Sequence, residues 1–483
     1  MTGTDYDVVV VGGGIAGLAA AISAAESGAS VALLERSTQK ETGGNTRYTE
    51  AYLRMKSVDE VADGLAETLV EDFMGHPDPS ITADAGRAWA QRNPLLRAHH
   101  VIDVDYVAAL ADNAGTTLRW LEKHGISFGE LPTLFPTVST TRLAPVGGGL
   151  ALVETLGSRA VEYGVTFHFE TTARALVTDE TGAVVGVQAT GPGGATLTFR
   201  GSIVLASGGF QGNNEMMARY HGDRALTCRP VARGGNHNKG EGIEMALAIG
   251  AATAGNFSLF HAEPVDPRSG QPEAAIMAFP YGVLVNVRGE RFVDEARGPV
   301  DAWYERTTRD IQAQPRGTAW LILDAGGAAV PNIKTAIRSE EPPVRADSIA
   351  ALAARIDVDA DALEHTLGAY NDGCPDGEWN PTQPDGLATT GVTPAKSNWA
   401  KQVAVAPFEA YPIMAANVFT FGGLKVDAHS RVIDRDGRAI RGLYAAGEMT
   451  GLYYTNYTGS TSVLRGAVFG RIAGSHAVDS KAG

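Results

Sequence analysis

The sequence predicts an α/β fold in which both ends of the chain build one parallel sheet around an inserted α+β segment, and three observations predict it. In the first, the apolar run Tyr6-Asp-Val-Val-Val-Val11 enters Gly12-Gly-Gly-Ile-Ala-Gly17 and continues through an Ala-rich segment to Val31-Ala-Leu-Leu-Glu35. In the second, the run Ile203-Val-Leu-Ala206 opens into Ser207-Gly208-Gly209-Phe210. The third repeats that theme near the C-terminus, where Gly442-Leu-Tyr-Ala-Ala-Gly447-Glu448 precedes a small-residue loop and an apolar helix from Val463 to Ala473. A returning sheet brings these strand ends to one place, and the segment between them, 258–419, has its own texture. It holds Pro-rich stretches, an ionisable cluster from Arg288 to Arg297, Trp303 and Tyr304, and an acidic helical stretch between about 346 and 370. The expected division is 1–257 and 420–483 as two parts of a Rossmann-like domain, with 258–419 as its cap.

Residues 6–36 read as strand, tight turn, helix and strand. Gly12 permits the turn, Gly14 lets backbone N–H groups approach a pyrophosphate, and Gly17 lets the helix pack closely on the strand. Ile15 and Ala16 open the helix, whose N-terminus faces the negative charge. Glu35, with Arg36 beside it, ends the second strand roughly 20 residues beyond Gly12, where an acid accepts hydrogen bonds from a ribose diol. Strand, helix and acidic partner together make this a dinucleotide site rather than an ordinary glycine-rich turn.

At 483 residues the chain has room for two or three domains and a large core. Its 44% hydrophobic and 20% charged residues are those of a globular protein, without an uninterrupted apolar segment of membrane-spanning length. The first strand begins almost at the N-terminus, so a cytoplasmic location is expected. A net charge of −15 argues against nucleic acid and anionic membranes as partners, while leaving room for a local basic pocket. Cys228 and Cys374 make no disulfide framework and stand in no metal-ligand spacing, so no metal is expected.

After Glu35 comes the turn-forming cluster Thr42-Gly43-Gly44-Asn45-Thr46, then a largely helical region to about residue 130, with helical spacing from Val107 to Leu121. Val146-Gly-Gly-Gly149 imitates a second nucleotide loop, but Thr140-Thr-Arg-Leu-Ala-Pro145 makes a poor buried parallel strand and Leu152 occupies the third glycine position. Short strands are expected at Val165–Glu170, Ala183–Gln188, Ala195–Phe199 and Ile203–Ala206. The loop Tyr457-Thr-Gly-Ser-Thr-Ser462 feeds a helix N-terminus that suits a developing negative charge, such as that near N1 of a reduced flavin.

In this order, Val9–Gly14, Gly43–Thr46, Ala206–Gly209, Gly240–Gly242, Val285–Phe292 and Gly442–Glu448 resemble the fumarate reductase and succinate dehydrogenase flavoprotein superfamily over almost the whole chain. Within it, Phe419-Thr-Phe-Gly-Gly423 and Tyr454–Arg465 look closest to the tricarballylate dehydrogenase subgroup. The resemblance implies an FAD domain interrupted by a cap, and addition or removal of hydrogen across a C–C bond beside a carboxylate or ketone. It implies cofactor contacts from Gly12, Gly14, Ile15, Ala16, Gly17, Glu35, Arg36, Gly43, Gly44, Asn45, Thr46, Ala173, Ser207, Gly208, Gly209, Gly447, Glu448, Ser462, Val463 and Leu464. Where covalent members carry a Ser-His-Thr motif this chain has Gly44-Asn-Thr-Arg47, so FAD is expected to be non-covalent. Phe419 replaces a substrate-gripping histidine, and Asn456-Tyr457-Thr-Gly459 replaces an Asn-Arg-Leu-Gly-Gly motif, which argues against fumarate as substrate. The family's acid arginine follows its Arg-Phe-x-x-Glu motif, and here both Arg297 and, about ten residues late, Arg309 in Thr307-Thr-Arg-Asp310 stand near that pattern.

Desaturation beside a carbonyl needs a base for the activated proton, flavin N5 for the hydride, and a donor to hold enolate-like charge. Arg297 and Arg309 are acid/base or oxyanion candidates, or else ion-paired residues of a surface helix. Arg291 and Glu295 form a proton path or a structural ion pair. His261 falls near a carboxylate-binding histidine of the family, and its alternative is a satisfied core histidine. Arg47 and Arg54 bind carboxylates from below the cap or carry surface charge. Tyr457, Tyr454 and Tyr281 are hydroxyl acids of the kind used in the ketosteroid dehydrogenase branch, or packing residues. The first expectation is an FAD-dependent dehydrogenase of a tricarballylate-like carboxylate, passing electrons to a separate carrier. A cyclic-ketone desaturase and a non-catalytic flavin-binding partner are the alternatives.

Overall fold

The computed structural model describes residues 3–74, 79–98, 102–130 and 142–479. Strand Gly3–Val11, helix Ile15–Glu26 and strand Val31–Leu34 form the expected βαβ unit, with Val8–Val11 paired in parallel to Val31–Leu34. Both strands are buried at these positions, as the unbroken Val and Leu runs require of a sheet covered on both faces. The main sheet has eight strands, and its central path runs Arg431–Ile433, Ala439–Ala445, Thr196–Leu205, Gly3–Val11, Val31–Leu34, Thr166–His168. Ala439–Ala445 pairs in parallel with Thr196–Leu205, so the C-terminal part of the chain enters the N-terminal sheet. The runs read as separate strands at 195–199 and 203–206 are one continuous strand. It stays intact because Gly201, at φ +146°, lets the chain cross close to the Tyr6 and Asp7 carbonyls while Ile203–Leu205 keep pairing with Val9–Val11.

The first and last helices, Ile15–Glu26 and Ser462–Asp479, pack backbone to backbone. A methyl group on Gly470 would overlap the Ala16 carbonyl oxygen, and one on Gly474 would overlap that of Ala20. Gly17 is needed for the same reason, since its Cα hydrogen faces the Gly12 carbonyl. Among the described residues, no helix is long and apolar enough to cross a membrane.

The expected helix near Val107–Leu121 spans Val104–Lys123, opened by the Asp103 side chain, which accepts from the N–H groups of Asp105 and Tyr106. Residues 75–78 and 99–101 of the expected helical region, and 140–141 ahead of the imitation loop, lie outside the described residues. Leu143–Pro145 pairs antiparallel with Phe128–Glu130, apart from the main sheet. Gly149 packs against the Thr46 and Thr49 carbonyls, so that second glycine run holds helix Gly148–Glu162 against the Gly44–Tyr48 turn.

A second sheet of six strands lies in the middle of the chain, built on the long strand Phe408–Thr420. Phe260–Val265, Thr318–Leu323 and Val344–Ala346 pair with it antiparallel, and Val283–Asn286 extends the sheet from Thr318–Leu323. Cys228–Pro230, which precedes residue 258, pairs with it in parallel. Helix Val300–Gln312 packs on Phe260–Val265. The expected acidic helical stretch is two helices, Ile349–Ile356 and Ala360–Asp372. Both cysteines are free and half-buried.

The helix pair sets a stability test. Gly474→Ala is expected to cost about 1–3 kcal/mol through overpacking. Gly368→Ala, on the exposed face of helix Ala360–Asp372 with open space around it, should stabilise by up to about 1 kcal/mol. Urea midpoints of the two variants check both signs.

Candidate active site

Three strand ends and two helix N-termini surround one cleft. Val11 leads into Gly12, whose φ of +107° and close approach to the Ala206 carbonyl exclude a side chain. Gly14 caps the first helix without a side-chain hydrogen bond, and the Ile15 N–H donates to Thr46 Oγ1 at 3.1 Å. Helix N-termini leave N–H groups unsatisfied, which makes this wall receptive to anions. Glu35 is held in place by the N–H groups of Gly13 and Ser37, each at 2.8 Å. Arg36 forms an ion pair with Glu241 at 2.8 Å and donates to the His237 carbonyl. Glu448 accepts from Thr420 N–H, Gln211 Nε2 and Asn238 Nδ2, and burial pushes its pKa up to about 7.

Of the residues expected to touch a cofactor, Gly12, Gly14, Ile15, Ala16, Glu35, Arg36, Gly43, Gly44, Asn45, Thr46, Ala173, Ser207, Gly208, Gly447, Glu448, Ser462 and Val463 line this cleft. Gly17, Gly209 and Leu464 do not. Gly17 faces the Gly12 carbonyl, Gly209 packs against the Glu448 and Thr420 side chains, and Leu464 lies wholly in the core. The cleft also takes in Gly13, Asn238 and the buried Arg465, which the sequence reading did not single out. Asn45 Oδ1 is buried without a partner, and a Cβ at Gly44 would meet only Asn238 Oδ1, at 4.0 Å. A dinucleotide of the length of FAD fits residues arranged in this way.

A second cavity adjoins the first, and Thr49, Val418, Ser462 and Val463 line both. Strand Phe260–Val265 brings His261 to its wall, helix Val300–Gln312 brings Tyr304, and the loop ahead of helix Ser462–Asp479 brings Tyr457. The His261 ring sits 4.3 Å from that of Tyr457, and His261 Nε2 lies 2.6 Å from the Tyr304 hydroxyl. Burial, with the Arg309 charge nearby, pushes the His261 pKa down to about 3, so the imidazole is neutral. The Tyr457 hydroxyl oxygen accepts from the N–H groups of Thr461 and Ser462, and its O–H donates to Ser462 Oγ at 3.1 Å. Phe419 lines the first cleft and packs against both His261 and Tyr457.

The second cavity is rich in carboxyl groups. Arg338 pairs with Glu50 at 2.9 Å and Glu273 at 3.7 Å, and Arg142 pairs with Asp301 at 3.1 Å. Glu263 also faces the cavity, and burial pushes Glu263 and Glu273 well above the usual carboxylate range. Strand alternation from His261 signals Glu263, whereas nothing local in the sequence signals Arg142 or Arg338.

The remaining candidates line neither cavity. Arg297 pairs with Asp310 at 3.0 Å. Arg309 pairs with Glu305 and donates to the Thr455 carbonyl, while Glu305 also accepts the Tyr457 N–H. Arg291 and Glu295 form a bidentate pair inside the cap, satisfied further by the Pro394 carbonyl and the Leu284 N–H. Arg47 pairs with Glu154, and Arg54 donates to the Gly459 carbonyl. The Tyr281 hydroxyl donates to the Pro381 carbonyl, and Tyr454 is half-buried away from both cavities. The described residues contain no cluster fit to hold a metal ion.

Among curated proteins, the chain is 29% identical to the NADH:acrylate oxidoreductase of Vibrio harveyi over 98% of its own length, spanning half the length of that relative. It is 28% identical to the vinyl phenol reductase of Lactiplantibacillus plantarum, covering 98% of this chain and 96% of the relative. Its fold is that of the open conformation of a flavocytochrome c3 fumarate reductase, at a TM-score of 0.74 and 24% identity over 99% of this chain and 78% of the other. It is likewise similar to the 3-ketosteroid-Δ4-(5α)-dehydrogenase of Rhodococcus jostii, at a TM-score of 0.68 and 25% identity over 98% and 97%. With residues 7–464 matched from the first strand to the last helix, the chain belongs to the FAD binding domain family.

Proposed function

We propose that this FAD-dependent oxidoreductase moves hydrogen across a C–C bond conjugated to a neutral carbonyl, a cyclic ketone being the type, where the two cavities meet. One observation carries the reading: that junction is walled by Phe419, His261, Tyr304 and Tyr457, while both guanidinium groups of the second cavity are ion-paired to carboxylates of the same cavity. A di- or tricarboxylate would find both cations of this cavity already paired, Arg338 with Glu50 and Arg142 with Asp301.

The glycine loop, Glu35 and the two helix N-termini hold the cofactor without a covalent bond, since Asn45 is committed to the Val418 carbonyl and Arg47 to Glu154. Bound FAD supplies the hydride acceptor or donor. In the reducing direction the Tyr457 hydroxyl turns its proton from Ser462 Oγ to the carbon beside the carbonyl, and the Thr461 and Ser462 N–H groups face the charge left on its oxygen. The cap, taken as 258–419, excludes water from that junction. A tricarballylate-like carboxylate is the second reading. It is favoured by the presence of Arg142 and Arg338 in the cavity and by the acrylate oxidoreductase among the relatives.

Bleaching or recovery of the visible flavin band with a substrate panel tests the reading. A response to cyclohexanone-type ketones supports it, a response to tricarballylate alone transfers the assignment to carboxylates, and no response at all argues for a flavin-binding protein without turnover. The protein is expected to be yellow and to release FAD on acid precipitation; flavin remaining on the chain would contradict non-covalent binding. The Cβ of a side chain at Gly14 meets only Thr46 Oγ1 at 3.3 Å and the Gly43 carbonyl at 3.6 Å, so Gly14→Val should fold yet lose FAD. Tyr457→Phe is expected to keep FAD and lower turnover about 10²-fold, as for loss of a positioned proton carrier, whereas Arg297→Lys stays near normal. The opposite ranking in steady-state assays would move catalysis to the cap arginines.

A further inference from the structure

His261 and Tyr304 form a pair whose geometry fixes the direction of one hydrogen. His261 is 6% exposed, its Nδ1 is buried without a partner, and its Nε2 meets the Tyr304 hydroxyl at 2.6 Å. A neutral imidazole carries one N–H and one acceptor nitrogen, so two arrangements exist. If the Tyr304 hydroxyl donated to Nε2, the ring hydrogen would sit on Nδ1 as a buried orphan donor. If Nε2–H donates to the Tyr304 oxygen, Nδ1 keeps only an unmet lone pair. Among backbone groups, buried orphan N–H donors are rarer than under-satisfied acceptors, and that preference carried to the imidazole selects the second arrangement. The Tyr304 hydrogen is then free, and among the described residues its hydroxyl meets no other partner.

That hydrogen belongs to a side chain lining the second cavity. Burial and the nearby Glu263 and Glu305 charges hold the Tyr304 pKa well above its ordinary value, keeping it a donor. Tyr457 is differently placed, since its own oxygen and hydrogen are already engaged by Thr461 and Ser462. The two phenols flank the His261 ring, at 5.6 Å for Tyr304 and 4.3 Å for Tyr457. One of them can therefore address a substrate oxygen while the other addresses the neighbouring carbon.

We propose that Tyr304 donates the hydrogen bond that holds charge developing on the substrate's carbonyl oxygen, with His261 as the positioning residue that aims it. The assignment rests on reading this cavity as the substrate site. It makes the ligand class a neutral or enolate-like oxygen acceptor and gives His261 a role other than gripping a carboxylate.

The test uses the holoenzyme with two probes, 4-nitrophenolate as an anionic oxygen mimic, followed by its perturbation of the flavin band, and 2-cyclohexenone as substrate. Tyr304→Phe is expected to weaken 4-nitrophenolate binding about tenfold or more, as for loss of a hydrogen bond to a charged group. It should also lower kcat for 2-cyclohexenone about 10²-fold with little change in KM, as for removal of one oxyanion donor. His261→Leu should reproduce the binding loss, and His261→Gln, whose amide N–H replaces Nε2–H, should restore it. Phenolate binding and kcat unchanged in Tyr304→Phe overturn this inference alone. If the wild-type holoenzyme neither binds 4-nitrophenolate nor responds to 2-cyclohexenone, the proposed function falls and takes the inference with it. Should Tyr304→Phe fail to retain FAD, the two His261 variants decide, and equal binding in both overturns the proposal.

Discussion

The close approach of the first and last helices is the constraint on which the rest of the structure depends. Gly470 and Gly474 let the backbone of Ser462–Asp479 touch the carbonyls of Ala16 and Ala20, and no larger residue fits at that contact. Because those helices are joined so tightly, both of their N-termini open on the same cleft, one at Ile15 and the other at Ser462. A chain with a net charge of −15 thereby gathers positive potential at this cleft from backbone N–H groups as well as from the buried Arg465. Arg465 donates to the Thr450 carbonyl, whereas Arg36, the other arginine lining the cleft, is paired with Glu241.

The second cavity works by the opposite arrangement. Its charges are side chains, they are mostly acidic, and its cations are neutralised locally. Burial keeps Glu263 and Glu273 towards the protonated state, so the wall presents hydrogen-bonding carboxyl groups more than a field of negative charge. The junction between the cavities is aromatic. A reacting bond held there is shielded from both electrostatic regimes, which suits chemistry whose charge develops only in passing.

The dinucleotide unit was legible in the sequence because its signals are local: a run of valines, glycines at fixed offsets, and an acid at the end of the next strand. The same locality explains the misplaced neighbours. Gly209 and Leu464 sit beside cleft residues in the chain, but the backbone turns them inward. Arg309 matched a family pattern by spacing, yet Glu305 one helical turn before it was the readable sign of an ion pair. Tyr304 was read only as part of the cap's texture, because its partner His261 lies 43 residues away and meets it through helix-on-strand packing that no local pattern encodes. The merged strand at 196–205 was split by a glycine that reads as a breaker and serves as a crossing point.

Phe408–Thr420 ends against the cofactor cleft. Pairing with Phe260–Val265 shifts register at Val418, whose carbonyl accepts from Asn45 and Gln211, and Thr420 N–H bonds Glu448. The longest strand of the middle sheet is therefore riveted to the floor of the cofactor cleft at its last three residues. Asn45 and Glu448 also line that cleft, and the far wall is tied across by Arg338 to Glu50 and Asp301 to Arg142, so the strand joins the two cavities into one mechanical unit.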